Sequence, residues 1–271
     1  MSVIQCETFY EDVPTLDEVK HEISSIVGLS EIKKQLESIL EKIIDAEKDA
    51  ADGLRVIPPK PFHMVFVGSN GTGKSTVARI IAKLFYLAGA LASYTVTEMQ
   101  GNQKMKDAEG GLLLVNIDEE DPINSNTLEE IIAAMDEGDS SIVLAGNYKA
   151  LNQYMKSNLK LYKRFSARLQ FDDLTCEDLA MILEKKASIK GKDGLLCGFE
   201  LDSSCSTDSI SRTIAELTPQ NLRSLLNAHL LDQMLIEAKK VAMPGEKTIS
   251  LRDLEMGIQN GADIYKNLLN L

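Results

Sequence analysis

Apolar residues follow two kinds of spacing along this chain of 271 residues. Continuous apolar runs, which are typical of strands buried on both faces, occur at 64–67, 112–117 and 141–146. Apolar residues recur every three to four positions, the spacing of an amphipathic helix, over 16–27, 31–54, 76–87, 127–136 and 148–161. Weaker patterns predict strands at 92–97 and 169–171, whereas 98–111 is polar, interrupted by glycine and predicted to be mostly loop.

The alternation of strands and helices predicts an α/β fold, with a parallel sheet flanked by helices. From Thr175 onward the spacing is helical except for an irregular break at 191–206, which predicts a small all-helical region after the sheet. We therefore predict an acidic N-terminal lead-in at 1–15, N-terminal helices at 16–57, an α/β subdomain at 58–172 and a helical subdomain at 173–271.

The stretch 64–76, MVFVGSNGTGKST, fits the phosphate-binding pattern G-x-x-x-x-G-K-[ST] between a predicted strand and a predicted helix. The glycines let successive backbone N–H groups point at phosphate oxygens, and the helix N-terminus adds its dipole. Lys74 would reach the β- and γ-phosphates, and the Ser75 hydroxyl would bind Mg²⁺. The predicted cofactors are therefore ATP and Mg²⁺, and the predicted binding residues are Gly68, Ser69, Asn70, Gly71, Thr72, Gly73, Lys74, Ser75 and Thr76. A glycine-rich turn that only starts a helix is the competing interpretation, and the full pattern in its context makes it rare.

Two further polar features follow predicted strands, namely the cluster at 116–119 and Asn147. Ligands of parallel sheets bind at the carboxyl ends of the strands. We therefore expect the phosphate loop and both features to lie in one crevice.

Net charge, the length of apolar runs and the cysteine spacing argue against several classes of function. The net charge of −12 argues against a nucleic-acid surface, because phosphate contacts need clustered Lys and Arg. No apolar run reaches the 18 residues of a membrane span, and the N-terminus has neither a signal-peptide core nor an Arg-rich transit pattern. The four cysteines form no CxxC pair. We expect a cytoplasmic protein in a reduced compartment, with no membrane or nucleic-acid partner; a plastid stroma is compatible if a transit peptide is missing from the sequence.

Three segments, GLSEIKKQLESI, HMVFVGSNGTGKSTVARIIAKLFYLAGAL and IVLAGNYKALNQYMKSN, resemble the CbbX/CfxQ group of AAA+ ATPases. That group includes red-type Rubisco activases, SpoVK and EccA-type secretion ATPases. The resemblance covers about residues 20–265 and is most specific around the phosphate loop and 142–158. It implies a P-loop AAA+ domain with a helical lid, a homo- or hetero-oligomeric ring, and use of ATP to remodel a protein client.

The resemblance also implies roles for individual residues. Asn147 stands where AAA+ proteins keep the polar sensor that orients the attacking water. Arg164 aligns with the arginine finger, which would reach the γ-phosphate in a neighbouring subunit, and Arg168 is the alternative if the register slips by four. Arg223 is the best candidate for the lid arginine, although Gln220 stands nearer the usual position. Surface charge beside a strand is the simpler interpretation of Arg164 and Arg168.

The acidic end of the strand at 112–117 departs from the pattern of the family, which reads two glycines, four apolar residues and Asp-Glu. Without a gap, Asn116 and Ile117 occupy the Asp and Glu positions. With two residues inserted, Asp118 and Glu119 form the catalytic pair, and Asp118 joins Ser75 at the metal. We favour the second register, because a carboxylate must hold the water shell of Mg²⁺ and another must activate water.

The acidic turn DEEDP, at 118–122, supplies two further carboxylates. If neither register provides the catalytic base, Glu120 and Asp121 are the remaining candidates.

The predicted loop at 98–111 is a second departure from the family. It has no aromatic residue; Gln103 occupies the place of the aromatic that would grip a client, and Met105 is the one bulky apolar residue nearby. This composition argues against threading of a client chain through a pore.

Three functions are compatible with these patterns. The first is an AAA+ ATPase that couples ATP hydrolysis to remodelling of a protein client. The second is a hydrolysis-poor nucleotide-binding subunit that regulates a mixed ring. The third is a P-loop kinase of a small molecule, which the helical lid, Asn147 and Arg164 disfavour.

Overall fold

The computed structural model describes residues 13–54, 62–119, 123–189, 199–242 and 247–270. Glu120 and Asp121, the remaining candidates for the catalytic base, lie outside these residues. The elements in chain order are α1 Leu16–Ser25, α2 Ser30–Ala51, β1 His63–Val67, α3 Lys74–Leu87, β2 Val96–Gln100, β3 Leu112–Ile117, α4 Ser125–Glu137, β4 Ser141–Gly146, α5 Tyr148–Ser157, α6 Leu159–Tyr162, β5 Phe165–Gln170, α7 Cys176–Ser188, β6 Glu200–Leu201, α8 Thr207–Leu217, α9 Gln220–Leu226, α10 His229–Val241, β7 Thr248–Ile249 and α11 Leu251–Leu269.

Five parallel strands form one sheet in the order β2-β3-β4-β1-β5, which confirms the predicted parallel sheet flanked by helices. The side chains of β3 alternate between two apolar clusters, so that Leu112 and Leu114 pack with α1, α2 and α3, whereas Leu113 and Val115 pack with α4 and α5. Helices on both faces explain why the central strands are almost entirely apolar.

The helices after the sheet form a lid with an apolar core of its own, built from α7, α8, α10 and α11. The close packing of α10 on α11 depends on Gly257, because a Cβ at that position would lie 2.5 Å from the Cβ of Ala238. A two-stranded sheet of β6 and β7 closes the outer side of this core. Among the described residues, no helix is long and apolar enough to span a membrane.

The second strand lies four residues later than the spacing predicts, at Val96–Gln100 rather than 92–97. The hydroxyls of Ser93 and Thr95 hydrogen-bond to each other at 2.7 Å, and the ladder with β3 begins only at Val96. Because β2 is an edge strand, its residues are mostly half-buried, and its polar composition resembles a loop. As a result Glu98, predicted to start a loop, lies in the middle of a strand.

The predicted helix at 148–161 is divided into α5 and α6 at Asn158. This residue leaves the helical conformation, with φ −129° and ψ 64°, and its side-chain amide donates to the Tyr154 carbonyl at 3.0 Å. An amide that satisfies the backbone in this way ends a helix locally. The last strand, β5, is longer than the predicted 169–171, because its burial alternates and leaves no continuous apolar run.

Candidate nucleotide-binding site

A cleft of about 1460 Å³ lies between the carboxyl ends of the strands and the lid. The phosphate loop, the end of β3 and Asn147 line one wall, as the sequence predicted. The opposite wall comes from the connection between α1 and α2 and from α7, α9 and α10 of the lid. A ligand in this cleft would contact both the sheet and the lid.

The conformation of the phosphate loop requires glycine at two positions. Gly73 precedes α3 with φ +94°, in the left-handed region that side chains rarely adopt. A Cβ on Gly71 would collide with the Leu226 carbonyl oxygen, so the loop approaches the lid backbone directly. Thr72 is buried, and its hydroxyl donates to the Ser69 carbonyl at 2.8 Å, which closes the loop on itself.

The ammonium group of Lys74 lies against the phosphate loop. Its Nζ donates to the carbonyls of Gly68 at 2.9 Å and Ser69 at 2.6 Å. Burial lowers the pKa of Lys74 to about 8. A half-buried cation whose partners among the described residues are neutral carbonyls favours an anionic ligand, because a phosphate supplies the missing opposite charge.

The polar groups beside Lys74 fit a magnesium ion. The Ser75 hydroxyl donates to a carboxylate oxygen of Glu98 at 3.3 Å, and Asn116 and Asp118 line the same part of the cleft. All four side chains offer oxygen ligands, which Mg²⁺ prefers. Within the described residues no group of three or more His, Cys, Asp or Glu could hold a metal alone.

The residues of the two proposed registers, Asn116 and Ile117 in one and Asp118 and Glu119 in the other, have different environments at the end of β3. β3 pairs with β4 without a bulge, so Asn116 lies opposite Ala145 and faces the cleft. Ile117 also borders the cleft, but it is only 5% exposed and its side chain belongs to the apolar cluster on the other face of the sheet. Asp118 follows the strand and lines the cleft.

Glu119 has a different environment from Asp118. Its carboxylate forms an ion pair with Lys149 in the first turn of α5, and its side chain is 33% exposed. It is not part of the cleft lining. Of the predicted catalytic pair, the structure therefore brings only Asp118 to the cleft.

Asn147 lies at the end of β4, in the cleft, where the sequence predicts the sensor. Its Oδ1 accepts the backbone N–H of Ala150 at 2.8 Å and so caps α5. The cap fixes the side chain and uses its oxygen. The amide NH₂ is then the group that could donate to water or phosphate.

The two arginines of the β5 region lie outside the cleft lining. Arg164 forms a bidentate ion pair with Asp136, with both distances 2.8 Å, and donates to the Lys160 carbonyl. The guanidinium lowers the pKa of the Asp136 carboxyl through the hydrogen bond. Arg168 is exposed, and its guanidinium lies 5.6 Å from the ring centre of Tyr148.

Arg223 also lies away from the cleft. Its guanidinium donates to the carbonyl of Thr218, to the hydroxyl of the same residue at 3.2 Å, and to the carbonyl of Ala215. Together with Gln220 and Lys266 it lines a separate cavity of about 520 Å³. The structure thus does not bring either candidate for the lid arginine to the nucleotide cleft.

The lid contributes residues that the sequence did not single out. Asn227 is 1% exposed; its amide donates to the carbonyl of Asn70 at 3.1 Å, and its oxygen accepts the N–H of Leu174 at 2.8 Å. Asn227, which follows α9, therefore links the phosphate loop to the segment that leads into the lid. His229 and Asp232 follow on the same wall of the cleft. A signal was present, since Asn227 lies in a helical pattern where Asn is unfavourable.

Apolar side chains also line the cleft. They are Ile26, Val27 and Leu29 of the α1–α2 connection and Leu174, Ile182 and Leu225 from the lid side. Apolar side chains and a cationic loop in one cleft suit a ligand with a flat base and a phosphate chain.

Comparison with solved structures shows the class of fold. The Holliday junction branch migration motor RuvB of Thermotoga maritima superposes with a TM-score of 0.53 at 18% identity, over 92% of this chain and 72% of that one. RuvB is an AAA+ P-loop protein, and the fold described here is of that kind.

Sequence relatives give a narrower group. The ESX-1 secretion system protein EccA1 of Mycobacterium tuberculosis is 28% identical over 62% of this chain, and stage V sporulation protein K (SpoVK) of Bacillus subtilis is 29% identical over 63%. The matches span 34% of EccA1 and 60% of SpoVK. Residues 173–262 match DUF8495, a domain of unknown function. Together these similarities support an AAA+ ATPase of the EccA and SpoVK group.

Proposed function

We propose that this chain binds ATP with Mg²⁺ in the cleft between sheet and lid, and couples ATP hydrolysis to remodelling of a protein client. The observation that carries the proposal is the position of Lys74, whose half-buried ammonium lies against the phosphate loop in the cleft between sheet and lid. Asp118 and Glu119 are the proposed catalytic pair. The Glu119 side chain must leave its ion pair with Lys149 and turn into the cleft before it can accept a proton from water.

Coupling between nucleotide and movement follows from the contacts of the loop. The amide N–H of Ala228 donates to the Gly71 carbonyl at 3.2 Å, and Asn227 bonds Asn70 beside it. A shift of the loop on phosphate binding is therefore transmitted to α9 and α10. Two packed bodies joined at a ligand cleft are the usual arrangement for domain closure.

Subunit assembly is the second part of the proposal. We propose a homo- or hetero-oligomeric ring in which Arg164, or Arg168 as the alternative, acts in the site of a neighbouring subunit. Arg164 would have to leave Asp136, whereas Arg168 is exposed already. Large apolar side chains near both arginines are exposed, with Tyr148 at 65% and Tyr162 at 60%. Such residues are common at interfaces between proteins.

The nature of the client is a finer proposal. The motif sequences resemble CbbX-type Rubisco activases, and EccA1 is described as a secretion system protein; both point to a protein client. RuvB is described as a Holliday junction motor, but a net charge of −12 disfavours a nucleic-acid client here. We propose the cytoplasm as the place of action.

A hydrolysis-poor regulatory subunit is the second candidate function. Ile117, which stands at the catalytic Glu position of the ungapped register, is buried, and Glu119 is paired outside the cleft. Both observations favour a chain that binds ATP and turns it over slowly.

Steady-state hydrolysis without any small acceptor separates these functions. Sustained turnover supports the remodelling ATPase, and tight binding with negligible turnover supports the regulatory subunit. Light scattering with and without ATP tests the ring, for which ATP is expected to raise the molecular mass. Absence of nucleotide binding under all conditions would overturn the proposal.

A further inference from the structure

A carboxylate from outside β3 contacts Ser75, the proposed magnesium ligand of the phosphate loop. It is Glu98 of β2, whose Oε2 accepts the hydrogen bond from the Ser75 hydroxyl at 3.3 Å. Its other oxygen accepts from Arg79 of α3 at 3.0 Å. Glu98 lines the cleft, and 35% of its side chain is exposed.

The register of the sheet explains how Glu98 reaches this position. β2 runs parallel to β3, with Glu98 opposite Leu114 and Gln100 opposite Asn116. Side chains two residues apart share a face of a strand. Glu98 therefore lies on the same face as Asn116, one step back along the neighbouring strand, and this is the face that α3 and Ser75 cover.

A purely structural role explains Glu98 poorly. The Arg79 side chain is 60% exposed, and exposed ion pairs stabilise proteins weakly. Glu is also among the residues that are depleted in strands. In contrast, the strand position beside Glu98 in the site, position 116, carries an amide instead of an acid, and Asp118 comes only after the strand ends.

We propose that Glu98 supplies a carboxylate to the magnesium site beside Asp118, in the role that position 116 cannot fill with Asn. The proposal rests on the proposed ATP and Mg²⁺ binding. Glu98 would accept hydrogen bonds from the water shell of the ion or bind the ion directly, with Ser75 as its neighbour. When no ion is bound, the guanidinium of Arg79 neutralises the charge of the Glu98 carboxylate.

The test is the dependence of nucleotide affinity on Mg²⁺, measured with a fluorescent ATP analogue in Mg²⁺ and in EDTA. For the wild type we expect Mg²⁺ to increase affinity. For Glu98→Gln we expect this enhancement to fall by about 10-fold or more, the usual effect of removing a group that supports a metal. Affinity in EDTA should be retained or should rise, since one negative charge near the phosphates is removed. Glu98→Asp should recover part of the enhancement.

Two controls separate metal binding from structure. Glu130→Gln makes the same charge change on the exposed side of α4 and should behave as wild type. Arg79→Met breaks the ion pair but leaves the carboxylate, and it should keep the enhancement.

The outcomes distinguish this inference from the proposed function. If Mg²⁺ increases nucleotide affinity as strongly in Glu98→Gln as in the wild type, the inference is overturned, while the proposed ATP binding stands. An equal loss in Arg79→Met and Glu98→Gln would also overturn it, because the ion pair would then be the active feature. A wild type that binds no nucleotide in either condition would overturn the proposed function, and this inference with it.

Discussion

The phosphate loop and the carboxyl end of β3 lie in the same cleft, but the sequence specifies them in different ways. The loop has a fixed spacing, and its glycines, Lys74 and Ser75 take their positions through local backbone conformation. The end of β3 depends on the register of β3 with β4 and on side chains from β2 and α5.

This difference determines which sequence features must be kept for binding and which can change position as a sequence diverges. A loop that cradles phosphate with backbone N–H groups must keep its pattern to bind at all. A carboxylate near the metal can come from any strand that ends at the same edge, so Asn at 116 need not abolish metal binding. The comparison can be tested by changing each region separately.

The largest expected effect is on turnover, at the end of β3. Glu119→Gln should retain ATP affinity and lower the hydrolysis rate by about 10²–10⁴, the usual effect of losing a general base. Gln keeps the size of the side chain but cannot accept a proton as a carboxylate does. The measurement is turnover at saturating ATP and Mg²⁺.

Lys149→Ala is the matched variant for this prediction. It releases Glu119 from its ion pair and should leave turnover unchanged or raise it. Equal, brisk turnover in wild type and Glu119→Gln would remove Glu119 from the mechanism. Very slow turnover in both would favour the regulatory subunit.

A smaller effect, on the free energy of unfolding, is expected at the contact between the phosphate loop and the lid. Asn227→Ala should lower the free energy of unfolding by about 2–3 kcal/mol, because it leaves the N–H of Leu174 and the carbonyl of Asn70 without their buried partner. Asn227 also has φ +46°, which Ala adopts less readily. Urea denaturation measures the loss. Asn221→Ala, an exposed neighbour in α9, should change stability by less than about 0.5 kcal/mol; an equal change in the two variants would contradict the role of Asn227.

The smallest effect is expected at the opposite end of the strands, at His63. Its Nδ1 accepts the N–H of Ile142 at 3.1 Å, its Nε2 lies 3.3 Å from the Met135 carbonyl, and burial lowers its pKa. His63→Leu should cost about 1–2 kcal/mol at pH 7.5 through the unpaired N–H.

The pH dependence has a defined sign. The unfolded chain takes up a proton at His63 near pH 6.5, while the folded chain resists it, so wild type loses stability as pH falls below that value. His63→Leu should lose less over pH 6.5 to 5. Identical pH profiles would show that this histidine does not titrate as described.

Much of the fold could be predicted from spacing alone. β3 and β4 were located to the residue, because buried central strands are continuous apolar runs. β2 was misplaced, since an edge strand with half-buried polar residues has no such run, and Glu98 was missed with it. The loop residues of the site follow from a motif, whereas His229 reaches the cleft and Asn227 reaches the phosphate loop only through the packing of the lid. Contacts between distant segments have no signature in local spacing.

The central claim is that the cleft binds ATP through the phosphate loop, and titration calorimetry of ATP with Mg²⁺ tests it most directly. Lys74→Ala should reduce affinity at least about tenfold, since a charge-assisted set of contacts is worth about 1.5–3 kcal/mol. Its melting temperature without nucleotide should not fall, because a buried ammonium with a pKa near 8 is removed. Lys156→Ala, on the exposed side of α5, is the matched control and should bind as wild type. Equal ATP affinity in wild type and in a folded Lys74→Ala variant would contradict the account.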